Sequence, residues 1–136
     1  MPAVLLDTSG LYASLDHDDP NHGRARRFLE ESPSLTLIVA DTIFSEAMTL
    51  IKLRLGVTLA TRAGAAIRAG SPFRIHRLLP DEAEEAWQIF SHYTDKSWSY
   101  ADCSVLAVAR SRKVSQVFGF DRHFDQMSSL GLLRVP

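Results

Sequence analysis

Residues Pro2 to Ala13 read PAVLLDTSGLYA, and this stretch decides how the rest of the chain is interpreted. Ala3 to Leu6 is a short continuous apolar run, which is typical of a strand buried on both faces of a parallel sheet. The run ends at Asp7, and Thr8-Ser9-Gly10 after it has the composition of a turn. In open α/β sheets, ligands bind beyond the carboxyl ends of the strands, so Asp7 lies where a functional residue is expected. A cap on the following helix explains Asp7 equally well when it is considered alone.

Length and composition describe one folded domain over residues 1–136. The hydrophobic content of 46% and charged content of 23% are ordinary for a globular protein. We expect no membrane span and no secretion signal, because no apolar run is long enough and the chain starts directly with a strand. The single cysteine, Cys103, fits a reducing compartment, so a cytoplasmic location is predicted. The net charge of −1 does not exclude nucleic acid as a partner. If several acids bind a metal, the other charged residues carry a net positive charge.

Alternating apolar runs and amphipathic segments predict strands that alternate with helices. Strands are expected at residues 3–6, 35–39, 73–78, 116–120 and 132–135, with 73–78 at a sheet edge. Helices are expected at residues 9–15, 21–31, about 42–55, 58–69, 80–93 and 100–112, and a short helical or irregular segment at 122–130. Asp41 or Thr42 is the expected cap of the third helix, and Asp81 with Glu84 the expected capping pair of the fifth. This order predicts an α/β fold, a three-layer α/β/α sandwich with a mostly parallel central sheet.

Two further acids lie on predicted helices. At 100° per residue, Glu46 falls on the edge of the apolar stripe of its helix, where a purely solvated glutamate is less expected. Asp102 points into the middle of an apolar stripe, where a carboxylate needs a partner to offset its desolvation. A structural explanation exists for Asp102 as well, because Ser99-x-x-Asp102 is a capping-box pattern.

Four acids therefore need one explanation: Asp7, Glu46, Asp102 and Asp121, the last at the end of a predicted strand. Carboxylates that converge at one sheet edge repel each other unless a cation lies among them. Oxygen ligands without a Cys/His cluster favour Mg²⁺ or Mn²⁺ over zinc. The five histidines, at 17, 22, 76, 92 and 123, show no ligand spacing, and Cys103 has no evident base beside it.

Four motifs resemble those of PIN-domain ribonucleases, and most of all the toxins of VapBC toxin–antitoxin modules. They are DTSGLYA at Asp7, xxxSEAxxL at Glu46, SYADCSVLAVAR at Asp102 and FDRHF at Asp121. The resemblance implies a single PIN-like domain and RNA cleavage that depends on Mg²⁺ or Mn²⁺. Asp7, Glu46, Asp102 and Asp121 would be the catalytic residues, with Asp7, Asp102 and Asp121 as metal ligands. It also implies a homodimer and inhibition by a small antitoxin.

One position departs from the family pattern. Such sequences often carry Thr two residues before the fourth acid, where this chain has Gly119. We therefore expect Asp121 to contribute less than Asp7 does. Asp95 and Asp125 are nearby acids that could assist, although a surface role explains both.

A different function remains open: a catalytically silent PIN-fold module that binds RNA or protein. The presence of all four acids favours the enzyme. For the antitoxin, the helices at 43–55 and 58–69 offer an apolar surface, but a core or a dimer interface explains the same residues equally well. The arginines at 24, 26 and 27 could bind phosphate or simply solvate a helix face.

Overall fold

The computed structural model describes residues 2–136 and shows a central sheet of five parallel strands flanked by helices. The strands are β1 (Ala3–Leu6), β2 (Thr36–Ala40), β3 (Phe73–His76), β4 (Gln116–Phe118) and β5 (Leu133–Val135). Their order across the sheet is β3-β2-β1-β4-β5, so β3 is an edge strand, as its alternation of apolar and basic residues predicted. The α/β class and the three-layer architecture are confirmed. The sheet is wholly parallel, which is stricter than the expected mostly parallel one.

Six α-helices connect the strands. They are α1 (Thr8–Leu15), α2 (His22–Glu30), α3 (Asp41–Leu55), α4 (Val57–Arg68), α5 (Pro80–His92) and α6 (Tyr100–Arg112). A 3-10 helix, Arg122–Leu130, lies between β4 and β5. Within residues 2–136, no helix is both long and apolar enough to cross a membrane.

The centre of the sheet is the core of the fold. In β1, Val4, Leu5 and Leu6 are each at most 1% exposed, as a strand covered on both faces requires. Leu5 pairs with Ile38 of β2 on one side and Val117 of β4 on the other. The carboxyl ends of β1, β2 and β4 therefore lie side by side.

Two predicted helix caps are wrong. Helix α3 begins directly after Ala40, which leaves Asp41 inside the first turn, and the Thr42 hydroxyl bonds instead to Ser104 of α6 at 2.6 Å. In α5, Leu79 is the N-cap residue, so the side chain that can bond back to the N-cap backbone belongs to Glu82, three residues later. Its carboxylate accepts the Leu79 N–H at 2.8 Å, whereas the expected Asp81 to Glu84 pair is not formed.

The fourth strand is shorter than expected, because it ends at Phe118 and not at Phe120. The Phe120 N–H leaves the sheet and donates to the hydroxyl of Ser9 at 2.9 Å. The chain is thereby turned toward the carboxyl end of β1.

Candidate metal and catalytic cleft

The carboxyl ends of the central strands open into a cleft of about 480 Å³ that is lined by all four predicted acids. Asp7 directly follows β1, and Asp121 lies three residues beyond β4. Because β1 and β4 are paired neighbours, their ends bring these two acids to one edge of the sheet. Glu46 reaches the cleft from α3, and Asp102 from the first turn of α6.

Asp7 is the most buried of the four acids, at 3% exposure, and it also caps α1. Burial raises the pKa of Asp7 to about 7, against the opposing effect of two hydrogen bonds from Ser9 and with smaller contributions from the charges of Asp102 and Asp121. The carboxylates thus disfavour one another's ionisation, and a cation between them would remove that cost. The geometry of Asp7 is consistent both with a helix cap and with a metal ligand.

Ser9 joins the ends of the two central strands. Its hydroxyl donates to Oδ2 of Asp7 and accepts the Phe120 N–H at 2.9 Å. The Asp7 N–H donates to the Phe118 carbonyl at 2.9 Å. These bonds hold the Asp7 carboxylate in one orientation at the floor of the cleft.

Glu46 lies outside the core of α3. Ile43 and Ala47 of the same helix are fully buried, whereas Glu46 is exposed to the cleft. The buried Thr8 hydroxyl donates to Oε1 of Glu46 at 2.6 Å. Thr8, the residue after Asp7, therefore orients the Glu46 carboxylate.

Asp102 forms the capping box that its sequence suggested, and its carboxylate also lies in the cleft. Its N–H donates to the Ser99 hydroxyl at 3.0 Å, and its Oδ2 accepts the Ser99 N–H at 3.0 Å, so the capping box is present. The same carboxylate, 5% exposed, also lines the cleft. A carboxylate has several lone-pair directions, so a cap bond leaves room for a further ligand.

His123 is a cleft residue that the sequence pattern did not predict. Its backbone N–H donates to Oδ1 of Asp121 at 2.9 Å, and its Nδ1 lies 3.0 Å from Oδ2 of Asp102 and 3.4 Å from Oδ1 of Asp121. The three residues each offer a donor atom within 4.8 Å of the other two. No regular ligand spacing along the sequence singles out this histidine, and its position two residues after Asp121 is the signal that points to it.

Gly119 lies against the first acid. A Cβ at this position would lie 2.9 Å from Cβ of Asp7 and 3.0 Å from Oγ of Ser9. The departure from the family pattern is therefore next to Asp7 in space, although it is next to Asp121 in sequence. The expected weaker role of Asp121 stays a prediction.

Three other side chains considered from the sequence do not line the cleft. Asp125 is paired with Arg134 through bonds of 2.8 and 3.1 Å, and Asp95 is exposed beside Lys96. Cys103 is fully buried, and burial raises the pKa of its thiol to about 11, so it has no nucleophilic character near neutral pH.

This arrangement defines an α/β protein with a carboxylate cleft suited to a hard divalent cation. The chain belongs to the PIN domain family, which it matches over residues 4–130.

Two relatives from Mycobacterium tuberculosis are similar over nearly the whole chain. The chain is 28% identical to the 23S rRNA-specific endonuclease VapC20 over 132 residues, 97% of both proteins. It is 26% identical to the ribonuclease VapC26 over 129 residues, 94% of both. The crystal structure of VapC20, described as a sarcin–ricin loop cleaving toxin, superposes with a TM-score of 0.85 at 27% identity, covering 97% of this chain and 98% of that one.

A more distant structural neighbour shares the fold. A toxin–antitoxin complex from Klebsiella pneumoniae matches with a TM-score of 0.69 at 19% identity, covering 98% of this chain and 97% of that one.

Proposed function

We propose that this chain is a metal-dependent endoribonuclease that acts in the cytoplasm as the toxin of a type II toxin–antitoxin module. The observation that carries the proposal is the convergence of Asp7, Glu46, Asp102 and Asp121, from four separate segments, on one cleft. The names of VapC20 and VapC26 as RNA-cleaving enzymes support the same activity. Residues 1–136 would form one domain, of which Met1 lies outside the described residues.

Asp7, Asp102 and Asp121 would hold Mg²⁺ or Mn²⁺. The donor set fits such an ion, because the acids supply hard oxygen ligands and the raised pKa of Asp7 reflects a cost that a cation would relieve. A bound divalent cation stabilises charge on phosphate oxygens and makes a nearby water more acidic.

Glu46 would accept a proton from the water that attacks the phosphodiester. Its carboxylate is exposed to the cleft, and the hydrogen bond from Thr8 engages only Oε1. The other oxygen can therefore take the proton, while Thr8 fixes the direction of the carboxylate. In-line attack forms a bond between the water oxygen and phosphorus as the bond between phosphorus and the leaving oxygen breaks, and the leaving oxygen takes a proton from solvent.

Basic and aromatic side chains at the rim support RNA as the substrate. The Arg54 guanidinium lies 5.5 Å from the ring centroid of Tyr12, and the Arg24 guanidinium lies 5.4 Å from that of Phe120. Tyr12, Arg54 and Phe120 line the cleft itself. Arginines beside aromatic rings can bind phosphates and stack on unpaired bases, which suits single-stranded RNA.

A cognate antitoxin would use a groove beside α4. This groove, of about 330 Å³, has mostly apolar walls, which come from α1 (Leu11, Leu15), α2 (Leu29), α4 (Ala63, Ala66, Ile67) and the start of β3 (Phe73). An amphipathic segment fits such a groove. Because Phe73 begins β3, the groove lies at the amino ends of the strands, and an arginine that pairs with the carboxylates of the cleft would have to come from another part of the antitoxin. Of the two helices considered from the sequence, α4 lines this groove and α3 does not.

A homodimer, which the family resemblance implies, would bury a separate apolar surface. Leu53 of α3 is 81% exposed and Trp87 of α5 is 53% exposed. Trp87 neighbours Phe90, and Phe90 neighbours Tyr100, with ring centroids 5.9 and 6.1 Å apart, so these exposed aromatic side chains form one patch. Contiguous exposed apolar patches mark association sites. Light scattering after size exclusion tests this part of the proposal: we expect the mass of two chains, and a monomer at all concentrations would contradict it.

Cleavage of a mixed RNA pool tests the enzymatic proposal. The pool should include a 23S rRNA fragment, because VapC20 is named for that substrate. We expect wild-type protein to cut RNA with Mg²⁺ or Mn²⁺ and not with EDTA, and Asp7→Asn to be inactive. Equal activity of the two proteins, or cleavage in EDTA, would contradict the proposal, and binding without cleavage would favour the silent module.

Expression in cells tests the toxin assignment separately. Wild-type protein expressed alone should arrest growth, Asp7→Asn should be harmless, and a short protein encoded next to this chain should co-purify with it and block cleavage. Tolerance of an active wild-type enzyme would contradict the toxin role while leaving the nuclease intact.

A further inference from the structure

The 3-10 helix after Asp121 fixes His123 at the mouth of the cleft. Asp121 caps this helix, and its Oδ1 accepts the His123 N–H at 2.9 Å. Phe124 and Met127 of the same helix are fully buried and anchor it to the core. The His123 side chain is 34% exposed, so its ring is held on one side and open to the cleft on the other.

The His123 ring presents one nitrogen to two carboxylates. Nδ1 lies 3.0 Å from Asp102 and 3.4 Å from Asp121, and a neutral imidazole has at most one proton on this atom. One N–H cannot satisfy two carboxylate oxygens fully. A cation placed among the three atoms would be a shared partner for all of them.

The spacing of the three donor atoms suits a six-coordinate ion. Neighbouring ligands about 2.1 Å from such an ion are about 3 Å apart. The nitrogen-to-oxygen distances at His123 are close to this value. Imidazole nitrogen is a poor ligand for Mg²⁺, and divalent transition metals, of which Mn²⁺ is the weakest binder, accept it more readily.

We propose that Nδ1 of His123 is a ligand of the bound metal together with Asp102 and Asp121, and that it makes the site prefer Mn²⁺ to Mg²⁺. The inference rests on the metal site of the proposed function. It adds a nitrogen to a ligand set that the sequence predicted to be carboxylate only.

Pulsed electron paramagnetic resonance of the Mn²⁺-loaded protein tests the ligand directly. We expect a ¹⁴N coupling from a coordinated imidazole in wild-type protein, its loss in His123→Gln, and its retention in the control His92→Gln, whose side chain is exposed on α5 outside the cleft. Circular dichroism would establish that both variants are folded. Absence of the coupling in wild type, or its persistence in folded His123→Gln, would overturn the proposal.

Calorimetric titration tests the metal preference. His123→Gln should weaken Mn²⁺ binding by about tenfold or more and Mg²⁺ binding by less than about twofold, in the range found when groups around a metal site are removed. Equal losses for the two ions would overturn the claimed preference. Neither measurement uses RNA. Nitrogen coordination in a protein that does not cleave RNA would therefore contradict only the proposed nuclease activity. Metal-dependent cleavage without nitrogen coordination would contradict only the role of His123.

Discussion

Gly119 lies so close to Asp7 that a Cβ at position 119 would come within 2.9 Å of Cβ of Asp7. The same atom would lie 3.0 Å from Oγ of Ser9, whose hydroxyl orients the Asp7 carboxylate and accepts the Phe120 N–H. Absence of a side chain at 119 is therefore a condition for this placement of Asp7.

Adding a side chain at position 119 should displace Asp7. We expect Gly119→Ala to lose about 1–3 kcal/mol of stability through overpacking and to cut RNA at least about tenfold more slowly, and Gly119→Thr to be worse. Gly23→Ala is the matched control, because a Cβ there has no atom within 4 Å, and it should be neutral or slightly stabilising. Thermal melts and cleavage rates measure both effects. Full activity in Gly119→Thr would mean that Asp7 has room to move without loss.

Asp7→Asn should stabilise the metal-free protein above mildly acidic pH. The native pKa of Asp7 is raised, mainly by burial, from 3.8 to about 7, so its contribution to stability is complete below about pH 4 and is lost as the pH rises through 7. The asparagine variant has no such loss. In EDTA, the melting temperature of the wild type should fall between pH 5 and pH 8 by about 5 °C or more relative to that of Asp7→Asn. A variant that melts lower than wild type at pH 8 would identify Asp7 as a structural residue.

Glu46→Gln should reduce cleavage strongly, and Asp121→Asn should reduce it less than Asp7→Asn does. Glu46 is the proposed proton acceptor, whereas Asp121 is the more exposed ligand, with 38% of its side chain accessible. Thr8→Val removes the hydrogen bond that orients Glu46 and should lower the rate by roughly tenfold without changing metal affinity. Single-turnover rates at saturating Mg²⁺ provide the ranking, and equal losses for Asp7 and Asp121 would refute it.

Arg54→Ala should weaken RNA binding and leave metal binding unchanged. Arg54 lies at the rim of the cleft beside Tyr12, where it can contact phosphate. We expect the affinity for single-stranded RNA, measured in the inactive Asp7→Asn background, to fall about fivefold. The slope of log affinity against log salt concentration should become shallower by about one. Arg68→Ala, an exposed change at the end of α4, is the control. The same loss in both variants would show that only overall charge matters.

The positions of the four acids could be predicted from the sequence because each depends on local patterns. Asp7 and Asp121 follow apolar strands, and Glu46 and Asp102 have fixed angles on amphipathic helices. Parallel pairing of β1 with β4 then brings the strand ends together.

The contacts between segments could not be predicted in the same way. His123 meets Asp102, and Thr8 meets Glu46, only because separate elements converge at the cleft. From the sequence, the departure at Gly119 was expected to affect Asp121, whereas a Cβ at position 119 would come nearest to Asp7. The predicted cap of α3 failed for a similar reason, because the Thr42 hydroxyl bonds to Ser104 of α6. The predicted cap of α5 failed for a local reason, because Leu79 is the N-cap residue and Glu82 accepts its N–H.

Metal-dependent hydrolysis by water is tested most directly by the chemistry of the RNA ends that the purified protein leaves. A single-stranded RNA that it cuts should be compared with the same RNA carrying a 2′-deoxyribose at the cleavage site, with Mn²⁺, with Mg²⁺ and with EDTA. Attack by water in a carboxylate and metal site does not need the 2′-hydroxyl, so both RNAs should be cut in metal, neither in EDTA, and neither by Asp7→Asn. A 2′,3′-cyclic phosphate product, failure on the deoxy substrate, or cleavage in EDTA would contradict hydrolysis by a metal-activated water.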